Sequence, residues 1–359
     1  MMMMVTFFSI SSEMHERVFF LRNKKKRGVT NFHFFFSFIF FIYTRKVVTL
    51  FKLFKLFLNS PRANALITAA LRVVNMLIIL SPAKTLTVPK NLAASLKTTS
   101  PSMQKTMEIL LSELRKMSAS QLASTLEVSS AIANTNVERY KNWEKQQAYP
   151  CGFAFDGPAY KGLSCSTLNE NELKYLQNHL RIVDPLYGLL KPLDVIKQYR
   201  LEMKTKGMKA TKSTKGGLAA FWSREMTQSL IKDLDEQQKS NNNNNNSAER
   251  FILNVASQEY SKVLDRNLLA ENNVEVFDMV IEGSTYDAKF GRGCAARYCA
   301  KVNAKTREDL KNFTGSDLDG SKTWKLNEKS VKTVEEKSMC FSFTKNEGSG
   351  PALKKRKKQ

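Results

Sequence analysis

Residues 76–86 read MLIILSPAKTL, and this stretch determines where the predicted core begins. The run LIIL is short and wholly apolar, which predicts a buried strand over 76–80. Pro82 lacks an amide donor, so it is expected to end strand pairing and to begin a loop. Lys84 is thereby placed beyond the carboxyl end of the strand, where open α/β sheets bind their ligands.

Helical and strand-like patterns alternate over residues 76–345, which predicts an α+β (mixed α/β) fold with a mixed sheet flanked by helices. Neither an internal repeat nor a Pro/Gly-rich linker divides this stretch, so we expect a single domain. The predicted strands are 76–80, 151–155, 250–256 and 274–282, and the predicted helices are 102–117, 129–147, 169–184, 218–238 and 294–303.

Residues 169–200 are expected to form an embedded helix-hairpin-helix-like unit. Asn169 and Glu172 have the spacing of a capping box, and apolar residues then recur at helical spacing as far as Pro185. A turn around Gly188 then leads to a second predicted helix. In helix-hairpin-helix modules the hairpin amides bind a DNA phosphate without reading bases. The alternative is an ordinary helical hairpin whose glycine only permits a tight turn.

The charge of the chain is concentrated at its two ends. The 359 residues have a formal net charge of +23, and residues 1–75 carry twelve Lys and Arg against two Glu. We interpret 1–75 as a targeting extension (a signal peptide or an organelle transit sequence), a membrane-associating segment or a gene-model artefact upstream of a start at Met76. The tail 346–359 contains a basic run that is typical of a nuclear localisation signal or a nonspecific nucleic-acid tail. The Asn-rich residues 239–248 are predicted to form a disordered loop.

Cysteine and histidine usage limits the chemistry. Five cysteines without a Cys-x-x-Cys pair argue against a secreted disulfide framework and favour an intracellular, reducing compartment. Only His179 lies in the predicted core, and a single histidine argues against a zinc site and against histidine-based catalysis. We therefore predict no metal site and no cofactor. The cytoplasm, an organelle (mitochondrion or plastid) if 1–75 is real, and the nucleus through 354–358 all stay open.

A second basic group lies in KFGRGCAARY at 289–298. Two glycines flank Arg292, and a helix is expected to begin just after them and to carry Arg297. A glycine-containing turn that leads into a basic helix is typical of an anion site, which would also include Lys289. The alternative is a solvated basic helix face. If the two cysteines of this block are exposed, the basic neighbourhood would lower the pKa of their thiols. The alternative is that they are small buried residues of the helix.

Polar residues also follow the predicted strand 250–256. Glu259 is the carboxylate there that we would nominate as an acid or base. Together with Lys84, Tyr199 and Arg292 it forms an alternative set, in which an enzyme acts on a nucleotide or on damaged nucleic acid within one pocket. Capping of the next helix by Ser257 is a structural alternative for this stretch. No catalytic residue is assigned in the leading interpretation.

Several ordered blocks resemble the bacterial peroxide stress protein YaaA family. They include MLIILSPAKTL (76–86), HLRIVDPLYGLLKPLD (179–194), NVASQEY (254–260) and KFGRGCAARY (289–298), with the shorter YKGL, YRLEM and FW between them. The resemblance implies an unusual fold that contains a helix-hairpin-helix motif and binds double-stranded DNA. It also implies a role in the response to hydrogen peroxide that limits iron-dependent damage to DNA.

Carried onto this sequence, the resemblance places DNA phosphates at the 186–190 backbone, with Lys191 as the charge partner. The usual hairpin has two glycines separated by one residue, and Leu190 replaces the second. Docking is expected to use the phosphate backbone through a basic cleft, without sequence specificity. No stable membrane partner is expected for the core, and the sequence does not indicate an oligomeric state. The predicted nucleic-acid contacts are Lys84, Leu186, Gly188, Lys191, Lys289, Arg292 and Arg297.

Overall fold

The computed structural model describes residues 74–90, 92–93, 95–212, 216–240, 249–315, 318, 324–327, 332–334 and 338–345. These residues belong to one compact unit within 72–359. The predicted extension before residue 74, the asparagines at 241–246 and the basic tail lie outside the described residues.

The described strands are short, and most of them belong to one central sheet. They are β1 (Val74–Leu80), β2 (Thr85–Leu86), β3 (Tyr149–Pro150), β4 (Phe155–Asp156), β5 (Leu180–Asp184), β6 (Gly188–Leu190), β7 (Val195–Ile196), β8 (Glu249–Asn254), β9 (Glu275–Ile281), β10 (Trp324–Leu326), β11 (Lys332–Val334) and β12 (Ser338–Lys345). The described helices are α1 (Gln104–Arg115), α2 (Ala119–Leu126), α3 (Ser130–Lys141), α4 (Cys151–Ala154), α5 (Pro158–Leu163), α6 (Glu170–His179), α7 (Gly217–Ser240), α8 (Gln258–Ser261), α9 (Arg266–Glu271), α10 (Thr285–Val302) and α11 (Arg307–Lys311).

The central sheet is mixed, with parallel strands in the middle and antiparallel strands at its edges. Five parallel strands follow in the order β5-β1-β8-β9-β12. At one edge β6 pairs antiparallel with β5, and at the other β10 and β11 pair antiparallel with β12. Numbered along the chain, the parallel strands have the order 2-1-3-4-5. In such a sheet the connections leave in opposite directions between β1 and β8, and ligands bind at that switch point.

Strand β1 lies in the middle of the core. Its residues 76–80 are at most 1% exposed, because helices cover both faces of the sheet, and parallel strands covered in this way read as continuous apolar runs. Helices α7 and α9 pack on one face, and α10, α6 and α5 pack on the other. No helix of the described residues is long and apolar enough to cross a membrane.

The expected mixed α/β architecture in a single domain is confirmed. The predicted strands at 76–80, 250–256 and 274–282 are confirmed, as are the helices at 102–117 and 218–238, each within a few residues. The helix predicted at 129–147 begins as expected but ends at Lys141, and a separate 3-10 helix follows at Trp143–Lys145. The strand predicted at 151–155 is wrong, because residues 151–154 form the short helix α4. A short apolar run does not distinguish a strand from a buried helical turn.

The predicted helix-hairpin-helix-like unit is also wrong. The capping box of Asn169 and Glu172 is present, and α6 begins after it. The helix ends at His179, however, and 180–184 continue as β5, which pairs with β1. All five residues of β5 are buried, so their apolar character reflects a central strand rather than a helical stripe. A β-hairpin formed by β5 and β6 replaces the second helix.

Candidate functional site

A concave pocket lies at the carboxyl edge of the sheet, above the switch point between β1 and β8. Its volume is about 530 Å³, which lies within the range of small-ligand sites. The loops after the two strands supply one side, and the beginning of α5 and the middle of α10 supply the other. The lining residues that carry polar or charged groups are Ser81, Lys84, Thr85, Asp156, Tyr160, Ser257, Gln258, Glu259, Tyr260, Lys289 and Arg292.

Two serines tie the floor of the pocket together. The Ser257 amide donates to Ser81 Oγ at 2.9 Å, and the Ser81 hydroxyl donates to Ser257 Oγ at 3.3 Å. The Tyr160 hydroxyl donates to the Ser81 carbonyl at 3.1 Å, which fixes α5 to the same loop. Ser257 occupies the N-cap position of α8, but its side chain makes no capping hydrogen bond. The predicted capping role of Ser257 is therefore wrong, and its side chain holds two strand ends together.

Helix α10 brings the cationic side chains to the pocket. It begins at Thr285, so the glycine turn that was expected to precede a helix near residue 294 is wrong. Gly293 lies inside the helix, where an added Cβ would be 1.7 Å from the Ala159 carbonyl oxygen. The glycine thus allows α10 to approach α5 closely. Because of this contact, Lys289 and Arg292 line the same pocket as the beginning of α5.

Arg292 has no counterion among the residues that the structure describes. Burial lowers the pKa of its guanidinium group, and its Nε is buried without a hydrogen-bond partner among the described residues. Lys289, one turn earlier on α10, is exposed. Neither side chain forms an ion pair within the described part of the chain. The pocket therefore presents two positive charges that are not held in an ion pair with any described residue.

Lys84 is a positive charge of a different kind. Its Nζ lies 2.7 Å from Glu202 Oε2, and Arg200 binds the other oxygen of that carboxylate at 2.5 Å. Burial opposes ionisation of Glu202, but the two cations hold the pKa of its carboxyl group below the usual range. In the structure, the partner of Lys84 is thus a carboxylate of the core. Lys84 nevertheless keeps 56% of its side chain exposed at the pocket.

Carboxylates lie in the pocket beside the cations. Glu259 Oε1 accepts a hydrogen bond from the Lys204 amide at 3.1 Å, which fixes the side chain near the rim. Asp156 is exposed and forms no ion pair among the described residues. Three members of the alternative enzymatic set, Lys84, Glu259 and Arg292, thus line one pocket.

Tyr199, the fourth member of that set, lies elsewhere. Its hydroxyl donates to the carboxylate of Asp184, and both residues are buried. Tyr199 is not part of the pocket lining. Its expected convergence with the other three is therefore wrong.

The turn between β5 and β6 is not available to a phosphate. Asp184 Oδ1 accepts hydrogen bonds from the amides of Leu186 at 2.9 Å and Tyr187 at 2.8 Å. Gly188 has φ +80° and lies against Met103 and Trp222. Leu186 and Gly188 are both buried, so their prediction as DNA contacts is wrong. Burial raises the pKa of Asp184 to about 6.

Arg297 and Lys191 also lie away from the pocket. Arg297 is 3% exposed, and its Nη1 donates to the carbonyls of Leu163 and Ser164 at the carboxyl end of α5 and to Thr167 Oγ1. Its prediction as a nucleic-acid contact is wrong, because the guanidinium group fixes α5. Lys191 follows β6 at the amino edge of the sheet, where it lines a separate cavity with His179.

Asp156 and Tyr160 are among the pocket residues that were not identified from the sequence. Asp156 precedes Gly157 and Pro158, a turn signature that indicates only a loop. Tyr160 begins the YKGL block, but its pattern does not indicate that its hydroxyl would reach the loop after β1. Asp156 is brought to the site by the pairing of β4 with β2, and Tyr160 by α5, which packs against α10.

Four cysteines are buried, namely Cys151, Cys165, Cys294 and Cys299. Burial raises the pKa of Cys299 to about 12, which is the opposite of an activated thiol. Within the described residues, no group of three or more His, Cys, Asp or Glu is placed to hold a metal ion. The candidate chemistry is therefore that of the charged pocket.

Comparison with known proteins identifies relatives over most of the chain. The sequence model described as peroxide stress protein YaaA matches residues 76–323. A UPF0246 protein of Polynucleobacter asymbioticus is 35% identical over 269 residues, which cover 72% of this chain and 97% of the relative. A UPF0246 protein of Rickettsia rickettsii is 36% identical over 244 residues, or 67% and 92% of the two chains. The chain therefore belongs to the YaaA family of peroxide stress proteins, as its sequence blocks predicted.

Proposed function

We propose that this member of the YaaA family binds nucleic-acid phosphates in the pocket at the carboxyl edge of its sheet. In this way it would protect DNA from iron-dependent damage during peroxide stress. The observation that carries the proposal is that two cations, Lys289 and Arg292, lie in one concave site without an ion-pair partner among the described residues.

The electrostatics of Arg292 support an anionic ligand. A guanidinium group that is withdrawn from water without a counterion is unfavourable, and a bound anion would reverse that cost. The planar fork of arginine matches phosphate oxygens with two parallel hydrogen bonds. Lys289 adds a positive charge on the same helix, and the exposed Lys84 adds one across the pocket.

The charge of the whole chain supports a polyanionic partner. A formal net charge of +23 attracts nucleic acid over long range and raises the association rate at low salt. Such steering carries no base preference, which agrees with contacts to phosphates rather than to base edges.

A second candidate function is catalysis on a nucleotide or on damaged nucleic acid. The position of Glu259 favours it, because the Lys204 amide holds its carboxylate in the same pocket as Lys84 and Arg292. A fixed carboxylate beside an anion-binding arginine is a suitable acid or base for a bound nucleotide. Glu259→Gln would then abolish product formation, measured by mass spectrometry of incubated nucleotides, while binding persists.

The binding proposal is tested with the full chain and a labelled duplex across a salt series. The double variant Lys289→Gln/Arg292→Gln is compared with Lys174→Gln/Lys232→Gln, which removes two exposed charges on α6 and α7. We expect the pocket variant to make the log–log salt slope shallower by about two units and the control to leave it nearly unchanged. Equal losses in both variants would contradict phosphate binding in the pocket.

The protective role has its own readout. Plasmid DNA is exposed to ferrous iron and hydrogen peroxide with each protein, and strand breaks are counted on a gel. We expect the wild-type chain and the α6/α7 control to reduce nicking more than the pocket variant does. Equal protection by all three proteins would show that protection of DNA does not depend on the cations of the pocket.

A further inference from the structure

The shape of the pocket and its lining residues indicate which part of a nucleic acid can bind there. We infer that the pocket accommodates one whole unpaired nucleotide, with its phosphate at Arg292 and Lys289 and its base between the apolar wall and the carboxylates. This inference rests on the proposed phosphate binding, and it adds a ligand class to it.

Arg292 lies deeper in the pocket than Lys289 does. Lys289 is exposed, whereas Arg292 is only partly accessible and lies in the concave part of the site. The backbone of a paired duplex is convex, so its phosphates reach exposed lysines at a rim. Arg292 attracts such a phosphate across the mouth of the pocket, but a ligand that hydrogen-bonds to its guanidinium group has to enter the pocket. A nucleotide that has left its stack can do so, as in enzymes that extrude a base.

The carboxylates supply the second argument. Asp156 and Glu259 line the same pocket as the two cations, and ionised carboxylates only accept hydrogen bonds. Phosphate and sugar oxygens of a duplex backbone are also acceptors, so a backbone alone leaves these carboxylates in repulsion. The amino groups on the edges of adenine, cytosine and guanine are donors. A nucleotide therefore matches both the cations and the carboxylates.

The remaining wall supplies the third argument, because it is apolar. Pro82, Ala83, Pro158 and Ala159 line the pocket together with Tyr160. Apolar and aromatic surfaces of this kind bind the flat face of a base with little sequence preference. The volume of about 530 Å³ is within the range of pockets that hold a small molecule.

The test uses the full chain and three labelled duplexes of one length at one salt concentration. The first is fully paired, the second carries one bulged nucleotide, and the third carries a bulged abasic unit. We expect the bulged nucleotide to bind about tenfold more tightly than the paired duplex, because it adds a stacked base. The abasic unit is expected to lose most of that gain. Equal affinity for all three duplexes would overturn the inference.

Variants separate this inference from the proposal on which it rests. Arg292→Gln should weaken binding of all three duplexes, whereas Asp156→Asn/Glu259→Gln should remove mainly the preference for the bulged nucleotide. If Arg292→Gln weakens all three equally and no preference exists, the phosphate site stands and the nucleotide inference fails. If Arg292→Gln weakens none, both fail.

A competition measurement distinguishes two sources of the same ligand. Adenosine monophosphate and inorganic phosphate are added to the complex with the bulged duplex. Displacement by adenosine monophosphate at concentrations where phosphate has no effect would assign the pocket to free nucleotides as well as to strands. Displacement by neither, with the preference intact, would assign it to nucleotides held in a strand. Equal displacement by both would contradict base recognition.

Discussion

Two loops at the same edge of the sheet were expected to bind phosphate, and the fold treats them differently. In the turn after β5, the amides of Leu186 and Tyr187 already donate to the buried carboxylate of Asp184. In the pocket above β1 and β8, Arg292 and Lys289 have no such internal partner among the described residues. Donors form a ligand site only where the fold leaves them unsatisfied. The turn thus stabilises the core, and the pocket is open to a ligand.

The same difference separates two arginines of α10. Arg297 is buried, and its guanidinium group donates to the end of α5. Arg292 lies just over one turn earlier, lines the pocket and has a buried Nε without a partner. One arginine positions α5, and the other lies where α5 and α10 form the wall of the pocket.

The largest expected effect concerns the turn. Asp184→Ala removes the acceptor of two buried amides and of the Tyr199 hydroxyl, so we expect the free energy of unfolding to fall by about 3–5 kcal/mol. Urea denaturation followed by circular dichroism measures the change. Asp156→Ala is the matched control at the exposed pocket, with an expected change within about 0.5 kcal/mol. A loss below about 1 kcal/mol for Asp184→Ala would contradict the structural role of the turn.

The pH dependence of stability tests whether Asp184 is a buried carboxyl group that belongs to the core. Burial raises the pKa of Asp184 to about 6 in the folded state, whereas the unfolded value is about 4. The folded state therefore holds the proton more tightly, and this contribution is complete below pH 4 and lost as the pH rises through 6. Relative to Asp184→Asn, the wild-type chain should lose up to about 3 kcal/mol of stability between pH 4 and pH 7.

Parallel urea titrations of the wild-type chain and Asp184→Asn at several pH values measure this difference. Asp184→Asn removes the titrating group while retaining a side chain of similar size. A constant difference between the two proteins over this pH range would show that Asp184 does not titrate in the folded state.

The next largest change in stability is expected on substitution of Arg297, in comparison with Arg292. Arg297→Gln leaves the carbonyls of Leu163 and Ser164 without their donor, so we expect a loss of about 2 kcal/mol in stability. Arg292→Gln removes a charge without a counterion, so stability should change by less than about 0.5 kcal/mol while duplex binding weakens. Thermal unfolding and fluorescence anisotropy measure the two quantities. Equal destabilisation by both substitutions would contradict the division between them.

The smallest effect is the change in duplex affinity that we expect on substitution of Lys191, at the amino edge of the sheet. Lys191 lies in a separate cavity near His179, so Lys191→Gln should change duplex affinity less than twofold at moderate salt. Lys289→Gln removes the same charge at the pocket and should weaken binding about threefold to tenfold. Anisotropy titrations under one condition compare them, and a larger loss for Lys191→Gln would move the binding face to the opposite edge.

The sequence predicts those features that depend on local pattern. The apolar run at 76–80 indicates a central strand, and the Pro82 loop locates one side of the pocket. The end of α6 at His179 is not local, because LRIVD suits either a helix or a strand until it pairs with β1. The role of Arg297 is likewise decided by the end of α5, more than 130 residues earlier in the chain. Pattern therefore locates the site, and tertiary contacts determine which cations belong to it.

Lysine footprinting tests the central claim most directly, since the lysines of the pocket and Lys191 at the amino edge of the sheet are measured in one experiment. An amine-reactive reagent labels the full chain with and without the bulged duplex, and peptide mass spectrometry reports each lysine. We predict that nucleic acid reduces the labelling of Lys289 and Lys84 and leaves Lys191 unchanged. Protection of Lys191 with unchanged labelling of Lys289 would contradict the account and place the binding site at the amino edge of the sheet, near the cavity that Lys191 lines with His179.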